Sequence, residues 1–312
     1  MSKRITTILV VVLVVAALMV AVGCQRGGGE GGGGGAKIGL SISTLNNPFF
    51  VTMRSGAQQA AKDQGVHLLV ADAQNDSATQ QDDVQNFVTQ QVDAILVNPV
   101  DPKAIVPAIQ AANQANIPVL CLDREASGGE VKTLIVSDNV KGGRMAGEEL
   151  IKLVGSGPVA QLEGIPGTDP ARDRGQGFQQ AIDDQSAVKL VASQTANFVR
   201  DEGLNVTENI LQANPDIKGI FAQNDEMALG AVRALGGKAG TDVKIVGFDG
   251  TAEALKAIQS GKMNATVAQQ PDKMGSLGVQ NAMKIIDGKS VPKKIPVEVK
   301  LVTKENVSQF LE

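Results

Sequence analysis

From Ala36 onward, short apolar runs rich in β-branched residues alternate with longer stretches in which apolar residues return every three or four positions. The runs "KIGLSIS", "HLLVADA", "AILVNPV" and "IPVLCLD" predict strands, and the stretches between them, roughly 48–64, 77–91 and 102–115, predict amphipathic helices. The pattern resumes with "PVAQLEG", "VKLVASQ", "GIFAQND" and "KIVGFDG", separated by predicted helices near 170–185, 200–213 and 225–236. Strands this continuously apolar are covered on both faces, as in parallel sheets. Regular alternation of strand and helix implies right-handed crossover units. The expected class is α/β with doubly wound parallel sheets. About eight to ten such units suit two lobes of roughly four to six strands better than one open sheet.

Several strand-like runs end on polar residues: Asn98, Asp123 with Arg124, Asn224 with Asp225, and Asp249 after Phe248. In open α/β sheets ligands bind beyond the carboxyl ends of strands, so these are candidate site residues. Helix capping by Asn and Asp is the plainer alternative for each, but arginine is not a cap. The stretch "SISTLNNPFF" raises the same question, because Phe49 and Phe50 stand side by side just after Asn47 and Pro48. The chain has no Trp, no Tyr and only 8 Phe, so two adjacent rings at a turn are a concentrated use of a scarce residue. They could wall a ligand with Asn47 at the rim. Equally, Asn47 could cap a helix starting at Pro48 while Phe50 packs into the core.

Composition narrows the partners. With 43% apolar and 20% charged residues this is a globular chain. A net charge of −4, spread in both signs, argues against a nucleic-acid partner. The first 24 residues differ in kind. Lys3 and Arg4 precede an apolar run from Ile5 to Val22 that closes in "AVGC", the layout of a secretory signal. Gly23 and Cys24 resemble the end of a lipoprotein signal, in which the cysteine carries lipid and begins the mature chain; Ala21 stands where that pattern has leucine. A plain signal or an uncleaved anchor are the alternatives. Residues 25–35, "QRGGGEGGGGG", predict a flexible tether. All versions place the bulk of the chain outside the cytoplasm, and the lipid version anchors it to the membrane. Cys121, within an apolar run, is expected to be a buried small hydrophobe. With Cys24 the only other cysteine, neither a disulfide framework nor a thiolate metal site is expected.

Catalytic readings are weak. Asp123 and Asp249 could serve as a glycosidase carboxylate pair, but Arg124 beside Asp123 would be expected to hold that carboxylate ionised, the opposite of a general acid. His67 is the only histidine, which excludes a site built from several. "DGKS" lacks the upstream glycine of a phosphate loop, and "GSGPVA" and "RGQGF" do not complete a dinucleotide fingerprint. "DAQNDSATQ" lacks calcium-loop spacing. No cofactor and no metal are expected. A neutral polyhydroxylated ligand fits better. Its edge needs donors and acceptors together, which Asp, Asn, Gln and Arg supply, and its faces need apolar walls, which Phe supplies.

The blocks "STLNNPFFVTMRSGAQQAA", "ILVNPVD", "ANIPVLCLDREA", "SDNVKGG", "RDRGQGFQQA", "FAQNDEMALGAVRAL", "VGFDGT" and "NATVAQQPD" resemble the bacterial ribose-binding proteins of the periplasmic sugar-binding family, from about Lys37 to Val302. The resemblance implies sugar contacts at Asn47, Phe49, Phe50, Asn98, Asp123, Arg124, Arg174, Phe198, Asn224, Phe248, Asp249 and Gln269. It implies two doubly wound lobes joined by a three-segment hinge, with crossings near Ser137–Asp138, Gln269–Gln270 and Glu298–Val299. One lobe would hold 36–137 plus 270–298 and the other 138–269 plus 299–312. It implies a monomer without enzymatic activity that closes on D-ribose and delivers it to the permease and ATPase of an ABC transporter. Another sugar, such as allose, galactose or a furanose signal, is the competing ligand. A sugar-responsive transcription regulator would need a DNA-binding segment where this chain carries its leader and glycines.

Overall fold

The computed structural model of the protein describes residues 35–311. The leader over 1–24 with Cys24, and the tether as far as Gly34, lie outside the described residues. The first half runs β1 (Lys37–Ile42), α1 (Pro48–Asp63), β2 (His67–Asp72), α2 (Ser77–Thr89), β3 (Ala94–Val97), α3 (Val106–Gln114), β4 (Val119–Leu122) and β5 (Val131–Ser137). It continues with α4 (Asn139–Val154), β6 (Gly157–Glu163), α5 (Asp169–Asp183), β7 (Val188–Thr195), α6 (Arg200–Ala213), β8 (Gly219–Ala222), α7 (Asp225–Leu235), β9 (Lys244–Asp249), α8 (Ala252–Gln259) and β10 (Ala265–Ala268). Then follow α9 (Pro271–Ile286), β11 (Lys294–Val297) and β12 (Lys300–Thr303).

The strands form two sheets, ordered β2-β1-β3-β4-β5-β11 and β7-β6-β8-β9-β10-β12. All pairs are parallel except β10 with β12, which run antiparallel from Ala265↔Thr303 to Ala268↔Lys300. The inner strands β3, β4, β8 and β10 are buried at every residue, as continuous apolar runs require. The edge strand β7 alternates buried and exposed positions near its start. Each sheet is packed on both faces: in β3, Ala94 and Leu96 join the cluster around Phe50 and Met274, while Ile95 and Val97 join the one around Phe87. The expected doubly wound α/β architecture is therefore present twice.

Both sheets have the same winding. In each, the first strand lies between the second and third, so the winding direction reverses beside β1 in one sheet and beside β6 in the other. Such reversal points open a crevice at the carboxyl ends of the strands. The chain passes between sheets after β5, returns after β10 for α9 and β11, and passes again to β12.

Local sequence explains most helix starts. Asn47, Asp76, Asp138, Asn224 and Thr251 cap helices through their side chains. The helix expected over 102–115 begins only at Val106, because the Asp101 carboxylate accepts from the amides of Lys103 and Ala104 and folds 101–105 as turn. Hydrophobic periodicity does not isolate β5, α4, α8, β10, α9, β11 or β12. In α4 the reason is visible: Gly142, Gly143 and Gly147 weaken the helical signal.

Those glycines permit close packing. A Cβ at Gly143 would sit 2.1 Å from the Arg174 carbonyl oxygen, and one at Gly177 would sit 2.0 Å from that of Val140. This reciprocal contact draws α4 and α5 together and so places Arg174 against Asn139. The Cys121 side chain is fully buried, and burial pushes its thiol up to about 12. No helix among the described residues is long and apolar enough to cross a membrane. Gly177→Ala is expected to destabilise the chain by about 1–3 kcal/mol in urea unfolding, despite the roughly 1 kcal/mol that alanine gains over glycine in an unobstructed helix. Equal or greater stability would mean that α4 and α5 can separate freely.

Candidate functional site

The carboxyl ends of the strands in both sheets meet at a cavity of about 200 Å³. On the first side, the turn after β1 brings Asn47 to the rim. Its Oδ1 accepts from the Phe49 amide at 2.9 Å, so it is a helix cap and a cavity-lining residue at once. Phe49 and Phe50 are 5% and 4% exposed, with ring centroids 5.1 Å apart in an edge-to-face arrangement. They belong to the core and to the cavity wall together. The cap and core packing open at the sequence level are thus present, and the same residues also face the cavity.

After β4 the chain enters a left-handed conformation at Asp123, with φ of 64°. Asp123 Oδ2 lies 3.8 Å from Arg124 Nε, and Arg124 Nη1 donates to the Pro99 carbonyl at 3.1 Å. The Phe50 ring stands 5.2 Å from the Arg124 guanidinium, within cation–π range. Asn98 is fully buried and absent from the lining. It accepts from the Ser43 amide at 3.2 Å and donates to the Leu122 carbonyl at 3.0 Å, joining the ends of β1, β3 and β4.

On the second side, Arg174 of α5 is held by several groups at once. Its Nε donates to Asn139 Oδ1 at 2.8 Å and its Nη1 to the Gln223 carbonyl at 2.7 Å. Asp249 Oδ1 lies 3.9 Å from Nη1, and the Phe248 ring centroid is 3.9 Å from the guanidinium carbon. Phe248 is fully buried and, like Asn98, lies behind the lining. Asp249 has φ of 129° and accepts from Gln269 Nε2 at 2.7 Å. Asn224 caps α7 through the Met227 amide at 2.9 Å and donates to the Phe198 carbonyl at 3.1 Å. Left-handed backbone at Asp123, Phe198 and Asp249 is the kind of local strain that clusters at functional sites.

Of the residues singled out in the sequence, Asn47, Phe49, Phe50, Asp123, Arg124, Arg174, Phe198, Asn224, Asp249 and Gln269 line the cavity, and Asn98 and Phe248 support it. Sequence reasoning missed Asn139 and Gln223, which set the Arg174 head group. Gln223 directly precedes Asn224 at the end of β8, and that position was the available signal. Asp225, singled out with Asn224, lies outside the lining: it accepts from the Gly250 and Thr251 amides and the Thr251 and Thr266 hydroxyls and so shapes the turn carrying Asp249. Among the described residues no group of three or more His, Cys, Asp or Glu could hold a metal ion.

Residues 38–290 match the family described as the periplasmic binding protein domain. The chain is 49% identical over 269 residues to the ribose import binding protein RbsB of Escherichia coli K12, covering 86% of this chain and 90% of that protein. It is 47% identical to the protein of the same name in Bacillus subtilis 168, covering 86% and 87%. The chain belongs to the periplasmic binding protein family. Its structure is similar to an ABC transporter periplasmic solute binding protein from Actinobacillus succinogenes 130z with bound D-allose, with a TM-score of 0.83, 38% identity, and 88% and 99% coverage of the two chains. The fold is that of the type I periplasmic sugar-binding proteins, with two parallel-sheet lobes, and family membership implies an extracytoplasmic location.

Electrostatics in this binding protein are governed by burial. Asp123 and Asp249 are both pushed above the ordinary carboxylate range by desolvation, with Arg124 and Arg174 acting in the opposite direction. The same burial lowers Arg124 and Arg174. Arg124 pulls Asp123 toward the ionised form, as its adjacency leads one to expect, but at 3.8 Å that pull is smaller than the effect of lost water. Asp225 is raised to about 6, again by burial and against its four hydrogen bonds.

A further contact joins the two sides beside the cavity. Asp169, in the first turn of α5, accepts from the Glu125 amide at 3.0 Å, and Arg172 donates to Glu125 Oε1 from both Nη atoms at 3.2 Å. Asp169 is 3% exposed, and burial raises it to about 7 from its ordinary 3.8, helped by the Asp123 and Glu125 charges. The folded chain holds this proton more tightly than the unfolded one. Its contribution to stability is thus full below 3.8 and is lost as pH rises through about 7. Urea unfolding at about pH 5 and about pH 8 is expected to show a smaller fall in stability for Asp169→Asn than for the unaltered chain. An identical fall in both would remove Asp169 from the pH dependence.

Proposed function

We propose that the chain captures D-ribose outside the cytoplasm and delivers it to an ABC importer built of a permease and an ATPase. The observation that carries this reading is a set of buried atoms without partners in the protein: Asp123 Oδ1, Arg124 Nε and Gln269 Oε1, all on cavity-lining residues. A buried polar atom left unpaired costs about 1–3 kcal/mol, so the site favours a guest that brings donors and acceptors together. Each sugar hydroxyl is both. Phe49, Phe50 and Phe198 offer apolar walls to the sugar faces. A cavity of about 200 Å³ is smaller than the roughly 300–1,000 Å³ of drug-sized pockets and suits one monosaccharide. The choice of ribose rests on the relatives named for ribose import. Allose is the competing ligand, since the solved neighbour carries it.

Asn47, Phe49, Phe50, Asp123, Arg124 and Gln269 grip the sugar from one lobe or its hinge, and Arg174, Phe198, Asn224 and Asp249 from the other. Asn98 and Phe248 act from behind, by holding the β1, β3 and β4 ends and by carrying Arg174. The lobes are 36–137 plus 270–298 and 138–269 plus 299–312, hinged at Ser137–Asp138, Gln269–Gln270 and Glu298–Val299. Two contacts support that hinge: Gln270 Nε2 donates to the Glu298 carbonyl at 2.8 Å, and the Asp138 amide donates to the Val297 carbonyl at 3.3 Å. The three crossings are thereby tied where bending would occur. Sugar shifts the lobes toward closure only as far as it contacts both. Lipid on Cys24 and the tether over 25–35 keep the monomeric binding unit beside its importer.

Titration calorimetry is expected to show ribose binding to the full chain more tightly than allose or galactose. Asp249→Ala is expected to weaken ribose by about 2 kcal/mol or more, roughly thirtyfold, by removing acceptors and stranding Arg174. No heat with ribose, or unchanged affinity in the variant, would refute the assignment. Cys24→Ala is expected to move the protein from the membrane to the soluble fraction, and retention at the membrane would refute the lipid anchor.

A further inference from the structure

The Phe198 ring lies within reach of two cations that come from opposite sides of the cavity. Its centroid lies 5.9 Å from the Arg124 guanidinium carbon and 5.7 Å from that of Arg174. Few ways of placing a ring there are open to the backbone. Asn197 and Phe198 are consecutive left-handed residues, with φ of 51° and 62°, and the turn is closed by the Val199 amide on the Ala196 carbonyl at 2.9 Å. The Asn224 side-chain amide fixes the Phe198 carbonyl from the other side.

The ring's far end rests on Gly164, the residue that follows β6. A Cβ built there would fall 1.9 Å from Phe198 Cζ, 2.3 Å from Cε1 and 2.4 Å from Cε2. No real side-chain carbon tolerates such distances. Gly164 is not among the glycines with positive φ, so its backbone conformation does not call for glycine. Nor can its backbone retreat. Its amide donates to Gln223 Oε1 at 2.8 Å, and its carbonyl accepts from the Thr195 hydroxyl at 2.7 Å. Gln223 is in turn anchored to the Ala171 carbonyl at 3.1 Å and accepts from Arg174 through its own carbonyl. One buried framework therefore fixes Gly164 and the Arg174 head group together, and the ring occupies the space the missing side chain leaves.

We infer that Gly164 is a positioning residue for ligand binding: the absent side chain is what lets Phe198 lie within cation–π reach of both Arg124 and Arg174, so the size of residue 164 sets the shape of the sugar slot. The inference rests on the reading of this cavity as the sugar site. It adds a determinant that touches no ligand and acts wholly through a ring that does. Alanine at this position pushes against the tip of the ring, and the ring, held at its backbone, has to rotate away from the two cations.

A double-mutant cycle separates this from a general packing defect. Ribose affinity is measured by calorimetry for the full chain, Gly164→Ala, Phe198→Leu and the double variant. Leucine lacks the ring atoms that a Cβ at 164 would strike. Gly164→Ala is expected to weaken ribose at least about tenfold in the unaltered chain, and less than about threefold in the Phe198→Leu background. Equal losses in both backgrounds, or a loss below about threefold in the first, overturn the inference. A crystal structure of Gly164→Ala decides the matter even where Phe198→Leu binds too weakly to titrate. A displaced Phe198 ring supports the inference, and a ring in its original place overturns it. Failure of the unaltered chain to bind ribose would instead overturn the sugar assignment, and the ring position in that crystal would still answer for Gly164.

Discussion

Four ionisable side chains are buried in one cleft, and the rest of the molecule is arranged to make that tolerable. Asp123 and Arg124 come from one side, Arg174 and Asp249 from the other, and each is 6% exposed or less. Their ion pairs, at 3.8 and 3.9 Å, are too long to count as direct hydrogen bonds. Burial without close pairing is costly. The protein offsets part of that cost with backbone carbonyls and rings: Pro99 and Phe50 for Arg124, Gln223 and Phe248 for Arg174. It leaves the remainder as donors and acceptors facing the cavity. That residue of unsatisfied polarity sets the cleft apart from a salt-bridged seam.

The convergence of these groups follows from the way the sheets are wound. Each lobe carries its second strand outside its first, so each opens a crevice at its own reversal point. The turn after β1 supplies Asn47 and the Phe pair, and the turn after β6 supplies Gly164. Polar residues at the ends of β4, β8 and β9 complete the ring of contacts. Close glycine packing between α4 and α5 then sets Arg174 against Asn139. A binding protein of this build brings the same kinds of side chain to one cleft twice, once from each lobe.

Much of this was legible in the chain, and the exceptions are instructive. Continuous apolar runs marked the inner strands because both faces of each sheet are covered. Elements whose signal lies in glycine content or in very short strands, such as α4, β10 and β11, escaped hydrophobic periodicity. Among site residues, those at strand ends declared themselves by residue type: a buried Arg after Asp, or Asp after Phe, has few structural uses. Asn98 and Phe248 carried the same signal, yet they hold the lining from behind, because position at a strand end does not reveal which way a side chain turns. Asn139 and Gln223 were missed for the converse reason. Polar residues near a helix start or strand end are common, and nothing local distinguishes one that orients an arginine.

Alternation of apolar runs, turn residues and caps was enough to define the class of fold, the strand ends and the types of chemistry gathered there, since these depend on neighbours a few positions apart. The balance of charge in the cleft was decided elsewhere. Arg124 adjoins Asp123 in the chain and favours its ionised form, but once both are withdrawn from water, desolvation outweighs that pairing and raises Asp123. Likewise the dual service of Asn47 as cap and rim, and the seat of Phe198 on Gly164, arise only when segments far apart in the chain come into contact. Burial and packing are sums over such distant segments, and no local pattern of residues carries them.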